Sequence, residues 1–154
     1  MNSQPLLLFL HIASVVVWVG GMFFAYVCLR PTAVELFDPP QRLRLWYGVF
    51  SRFFVWVWWA VILIPASGLI MLWQHGFGAA PSSWYLMLVS GVVMIAIYIY
   101  VATGPYRALA RAVEIEDWQA GGAALNRIRQ IVGINLFLGL ITMAFATLGR
   151  YLVS

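Results

Sequence analysis

The sequence has little charge. Charged residues make up 9% of its 154 residues and hydrophobic residues 64%, whereas a soluble globular domain carries about 25% charged residues. This shortage excludes an ordinary soluble domain. It also excludes a disordered chain, because disorder requires low hydrophobicity together with high net charge.

Three long stretches lack charge completely. No charged residue occurs before Arg30, between Arg52 and Arg107, or between Arg129 and Arg150. A membrane-spanning helix needs about 20 apolar residues, so these stretches predict one, two and one spans. We place the spans at approximately residues 6–29, 49–73, 84–104 and 130–151.

The predicted fold is an all-α, integral membrane four-helix bundle, formed by a single domain over residues 1–154. A membrane β-barrel would alternate polar and apolar residues, whereas residues 55–64 and 89–101 are apolar on nearly every side. Two finer predictions concern the connections. Asp38, Pro39 and Pro40 favour the start of a short interfacial helix, and Gly121–Gly122 favours a helix break.

Lysine is absent, and all nine basic residues are arginines. Eight of them border the first and third connections, and only Arg150 lies at the other side. The positive-inside rule therefore predicts cytoplasmic connections, with the N-terminus and the C-terminus both outside (periplasmic). The chain would be a multi-pass protein of the bacterial inner membrane. Its net charge of +4 reflects this topology, so the expected partner is membrane lipid and not nucleic acid.

Cysteine and catalytic motifs are also scarce. The one cysteine, Cys28, excludes an intrachain disulfide and a CxxC site. The sequence contains no nucleophile–base pair, phosphate-binding loop or metal-protease motif, so no residue is assigned a catalytic role. The chain would be an oxidoreductase only if it bound haem.

The two histidines, His11 and His75, are the main candidates for a site. The first helix runs inward and the second outward, so both side chains are expected in the same outer leaflet. Polar residues inside a membrane are costly and usually face a functional interior. Two imidazoles at one depth could bind one metal ion or one haem iron. The alternative is a lone polar core residue plus an ordinary loop residue.

Five further side chains are candidates beside the histidines. Met71 and Met87 supply thioethers, which suit Cu(I), although methionines at helical spacing also fill gaps in a core. Trp18 lies on the His11 stripe of the first helix, so it is a candidate cofactor contact. Arg150 could pair with a haem propionate or a quinone oxygen, or extend to the interface. Cys28 is either a buried, inert thiol or an exit ligand for copper. The predicted metal ligands are therefore His11, His75, Met71 and Met87.

The first span reads LHIASVVVWVGGMF over residues 10–23. With its histidine, tryptophan and glycine pair, it resembles the opening helix of the CopD (copper resistance D) membrane family. The second span is similar through Ser51-Arg52-Phe53-Phe54 and Ser67-Gly68, and the fourth through Arg127, Asn135 and Gly139. The resemblance implies a four-helix inner-membrane protein linked to copper uptake or tolerance.

A more distant similarity is to the HemJ-type haem-binding membrane proteins, whose first helix also carries a histidine. Their third helix has a lysine after a tryptophan. Here Trp84 is followed by Tyr85, Leu86 and Met87. This difference argues against their oxidase activity, but not against haem binding.

Three functions remain open from the sequence. The first is copper handling at an outer-leaflet His/Met site, with a periplasmic copper-carrier protein as partner. The second is a b-type haem protein with His11 and His75 as axial ligands, exchanging electrons with quinone or superoxide. The third is a non-catalytic assembly subunit. A homo-oligomer is compatible with each of them.

Overall fold

The structure, a computed structural model, describes the backbone of residues 3–152 and the side chains of residues 3–148. The chain is helical almost throughout. Within the described residues, four helical stretches are long and apolar enough to cross a membrane. Each predicted span overlaps one of them, so the expectation of an all-helical membrane fold is confirmed. The helices are α1 (Gln4–Leu36), α2 (Pro39–His75), α3 (Ser82–Thr103), α4 (Pro105–Glu114) and α5 (Trp118–Leu152).

Proline and glycine mark most of the helix boundaries. Pro39 and Pro105 are the first residues of α2 and α4, where the missing N–H removes no helical hydrogen bond. Gly76 ends α2 with φ of +90°, a backbone conformation that is unfavourable for residues with a side chain. Between α2 and α3 there is only a short uncharged link containing one 3₁₀ turn, Phe77–Ala79.

The helix α1 contains two π-helical stretches, Val16–Gly20 and Phe24–Leu29. A π-helical turn is wider than an α-helical one and is frequent at functional sites. Ser14, Trp18, Val19 and Met22 are all buried against the bundle. Successive buried positions of α1 therefore remain on one face through the first of these stretches.

Two predictions about the connections are wrong. Asp38 to Pro40 does not start a short interfacial helix, because α2 runs without interruption from Pro39 to His75. Gly121–Gly122 does not break a helix either, since α5 continues through both residues. A Cβ on Gly121 would lie 3.0 Å from Leu43 Cδ1. The close packing of α5 on α2 thus offsets a helix-propensity cost of about 1 kcal/mol per glycine.

The break before α5 falls instead at Glu116, the one described residue other than glycine with positive φ, at 59°. The Asp117 carboxylate then accepts a hydrogen bond from the Ala120 N–H at 2.9 Å. This satisfies one of the free N–H groups at the start of α5.

The centre of the bundle is aromatic. The Tyr98 ring lies 5.4 Å from the Phe54 ring and 6.1 Å from the Trp18 ring, both edge-to-face. The Tyr98 hydroxyl donates to the Phe54 carbonyl at 3.2 Å, so this buried polar group is satisfied. In contrast, large apolar side chains such as Trp56, Trp59 and Phe137 are 60–67% exposed. Such extensive exposed apolar surface is typical of a lipid-facing exterior.

The helices leave two distinct ends. The arginine end is where α1 finishes and α2 begins, with Arg30, Arg42 and Arg129 around one cavity. The hairpin end is where α1 begins and α2 finishes, and there Gln74 Nε2 donates to Ser3 Oγ at 3.1 Å. This hydrogen bond fixes the level of the end of α2 relative to the start of α1, and the antiparallel register of the two helices positions the candidate site.

Candidate metal centre

The His11 imidazole is held by α2 in one orientation. Its Nδ1 lies 3.1 Å from the Ile64 carbonyl oxygen and 3.0 Å from Ser67 Oγ. A carbonyl can only accept, and the Ser67 hydroxyl donates its own hydrogen to a carbonyl one turn earlier, that of Leu63 at 2.5 Å. The Ile64 carbonyl therefore requires Nδ1 to carry the proton, and the Ser67 oxygen can accept from the same N–H. In the neutral ring this leaves the lone pair on Nε2.

This arrangement is the one found at many metal sites. A metal-binding histidine usually donates its other ring N–H to a carbonyl or carboxylate, which fixes its tautomer and orientation. Among the described residues, no hydrogen bond engages Nε2 of His11. The ring packs beside Gly68, where a Cβ would lie in ordinary contact with it, 3.4 Å from His11 Cε1.

The second histidine lies farther out. His75 is the last residue of α2, is exposed, and packs its ring 5.1 Å from the ring of Trp84. Because the contact of His11 is with Ser67, eight residues earlier, the two histidines are separated by about 12 Å along α2. The structure therefore does not bring His11 and His75 together at one depth.

The reason is the helix register. Gln74 is level with Ser3 and Ser67 is level with His11, so α2 extends outward beyond the level of His11. Separated in this way, the two imidazoles do not fit as ligands of one haem iron.

The two predicted methionine ligands lie between these levels. Met71 is four residues after Ser67 and four before His75, so helical geometry places all three close to one side of α2, one turn apart. Met87 follows Trp84 by three residues on α3, about one turn farther from the hairpin end. Both methionine side chains are half-buried.

The other predicted site residues are more dispersed. Trp18 is 3% exposed and belongs to the aromatic core, two helical turns from His11. The side chain of Arg150 lies outside the described part of the chain, so its role stays a prediction. Cys28 is exposed, contrary to the expectation of a buried thiol. Within the described residues, His, Cys, Asp and Glu side chains form no group of three that could hold a metal ion.

Two polar features were not recognised as parts of a site from the sequence. Ser67 was noted only through the family resemblance, although a buried serine in an apolar span was a usable signal. Asn135, on α5, makes a contact between helices, since its Nδ2 lies 3.8 Å from Met22 Sδ on α1. The Asn135 Oδ1 atom is buried without a partner among the described residues.

Together these features define a multi-pass helical membrane protein with an oriented histidine near one end of its bundle. Residues 47–148 match the family model described as copper resistance protein D. The chain belongs to this family, and the resemblance inferred from the sequence is confirmed. The matched region includes Ser67, Met71, His75 and Met87, and it begins after His11. No curated protein and no solved structure matches the chain.

Proposed function

We propose that this chain binds Cu(I) near the hairpin end of the bundle and takes part in copper uptake or tolerance. The observation that carries the proposal is the orientation of His11, whose Nδ1 is held by Ile64 and Ser67 while Nε2 is left to bind a metal. Membership of the copper resistance protein D family favours copper as that metal.

The proposed ligands do not form a single cluster but follow one another along the bundle. We call this series, made up of His75, Met71 and His11, the His/Met ladder. His75 is the exposed ligand at the hairpin end, Met71 follows one turn farther in, and His11 is about one turn beyond it. Imidazole and thioether are both good ligands for Cu(I). Copper is therefore captured at His75 and held at His11, with Met71 between them. Met87 is a further ligand at the same depth as Met71. It lies on α3, one turn after Trp84, whose ring packs against His75.

The direction of delivery follows from the arginines. Under the positive-inside rule the arginine end is cytoplasmic, which makes the hairpin end periplasmic in a bacterial inner membrane. A periplasmic copper carrier would then approach the uncharged link that follows His75.

The test is Cu(I) binding by the purified protein in detergent, measured by competition with a chromophoric Cu(I) chelator. We expect one tightly bound Cu(I), and at least ten-fold weaker binding for His11→Ala and for Met71→Leu. Met143→Leu is the matched control, because Met143 is 42% exposed and lies on α5, which contributes no proposed ligand. It should bind as the unmodified protein does.

Two outcomes would overturn the proposal. One is the absence of stoichiometric Cu(I) in the unmodified protein. The other is unchanged affinity in both the His11→Ala and Met71→Leu variants. A cellular assay completes the test, since His11→Ala should change copper content or copper tolerance in cells that depend on this chain.

A further inference from the structure

The arginine end contains a cavity that the copper proposal does not use. Its volume is about 330 Å³, within the range of roughly 300–1,000 Å³ that is usual for small-molecule sites. It lies between α1, α2 and α5. Arg30, Arg42 and Arg129 each contribute from a different one of these helices.

These three guanidinium groups lack a compensating charge. All three are half-buried, and no acidic residue lines the cavity. The ion pair found among the described residues joins Arg44 to Glu116 at 2.7 Å, and neither residue lines the cavity. The one further contact of this trio is Arg30 over the Tyr26 ring, 5.4 Å from its centroid. Three like charges around one partly desolvated space create a strongly positive potential there, which an anion would relieve.

Apart from Asn126, most of the remaining lining is apolar, and the cavity extends into the membrane-spanning part of the bundle. Leu125 and Val132 line it two turns apart along α5, and Leu43 and Phe50 do so along α2. Trp46 and Trp118 also line it, and tryptophan is enriched at the level of lipid headgroups. A small soluble anion would leave this apolar wall uncovered. The cavity thus combines a cationic rim with an apolar floor.

We propose that this cavity binds an acidic phospholipid. Its phosphate lies among Arg30, Arg42 and Arg129, and part of one acyl chain lies along the wall formed by Leu43, Phe50 and Val132. Basic pockets between membrane helices are a recognised way of binding anionic headgroups. The bound lipid joins α1, α2 and α5, so it stabilises their arrangement at this end.

The experiment measures thermal unfolding of the copper-free protein in detergent with added lipid. Phosphatidylglycerol should raise the midpoint, whereas phosphatidylcholine with the same acyl chains and inorganic phosphate should not. The variant Arg30→Gln/Arg42→Gln/Arg129→Gln should lose the effect, with a loss of affinity of roughly five-fold per arginine. The matched control is Arg107→Gln/Arg111→Gln/Arg127→Gln, which removes three exposed arginines outside the cavity and should keep the effect.

A second measurement covers the case in which the triple variant does not fold. Native mass spectrometry of the unmodified protein in an equimolar mixture of the two lipids should show preferential retention of one phosphatidylglycerol. Equal retention of both lipids would overturn the proposal, as would equal loss in the control variant. An identical shift with inorganic phosphate would identify a soluble-anion site in place of a lipid site. None of these readouts depends on copper, so failure here leaves the copper proposal intact.

Discussion

At the scale of single residues, the tautomer of His11 determines which of its nitrogens is available. Ser67 and the Ile64 carbonyl both accept from Nδ1, and this leaves the Nε2 lone pair free for a ligand bond. In the proposed copper site the role of Ser67 is therefore indirect: it positions the ligand and does not bind the metal.

Ser67→Ala tests this positioning role. We expect Cu(I) affinity to fall about ten-fold, the lower end of the range for removing the hydrogen-bond partner of a ligand, because the Ile64 carbonyl still holds Nδ1. The free energy of unfolding should change little, since alanine fills the same helical position. Chelator competition and thermal unfolding measure the two quantities.

Ser51→Ala is the control for that substitution. Ser51 donates to the Gly48 carbonyl of its own helix and lies sixteen residues before Ser67, about 24 Å away along α2. Its Cu(I) affinity should equal that of the unmodified protein. An equal loss of Cu(I) affinity in both variants would contradict the positioning role of Ser67, because any serine hydroxyl would then have the same effect.

At the scale of helices, close packing of α1 on α2 depends on one member of a glycine pair. A Cβ on Gly21 would lie 2.3 Å from the Phe53 ring, whereas one on Gly20 would have no atom within 4 Å. Gly21 therefore faces α2 at close range, whereas Gly20 faces open space. Substituting each glycine in turn compares a packed position with an unpacked one in the same helix.

Gly21→Leu should destabilise the protein, because the Phe53 ring must move and overpacking of a well-packed core costs about 1–3 kcal/mol. Gly20→Leu should be neutral or slightly stabilising, since leucine has the higher helix propensity. Unfolding of both variants in the same detergent, followed by circular dichroism, measures the difference. Equal stability of the two variants would refute the packing assigned to Gly21.

The helices could be predicted largely from charge, but their register could not. Stretches without charge located four spans, because burying a charge in lipid is costly. The depth of His75 depends on where α2 stops relative to α1. That level is set by tertiary contacts, Ser67 with His11 and Gln74 with Ser3, which no local pattern encodes. The continuity of α5 through Gly121 was missed for the same reason, since contact with Leu43 decides it.

At the scale of the whole molecule, the arginine end and the hairpin end differ in chemistry. The arginine end carries most of the charge and the cavity lined by arginines, while the hairpin end carries the two histidines, Met71 and Met87. The sidedness proposed above places these ends in the cytoplasm and the periplasm. This assignment can be tested without knowing the function.

Single cysteines in a Cys28→Ser background should report the sidedness. Gly78→Cys, in the exposed link, should react with a membrane-impermeant thiol reagent added to spheroplasts. Glu114→Cys, exposed at the arginine end, should react only after the membrane is permeabilised. The reverse pattern would invert the topology, and it would place the His/Met ladder on the cytoplasmic side.

The uncharged link between α2 and α3 also has a consequence for membrane insertion. The segment between Arg52 and Arg107 contains no charged residue, so the two helices can enter the bilayer as a hairpin without carrying a charge through its centre. Each lysine or arginine there would cost roughly 2.5–3.5 kcal/mol. The hairpin that bears His75 and Met71 can therefore insert as one unit, because its uncharged link can cross the bilayer with the two helices.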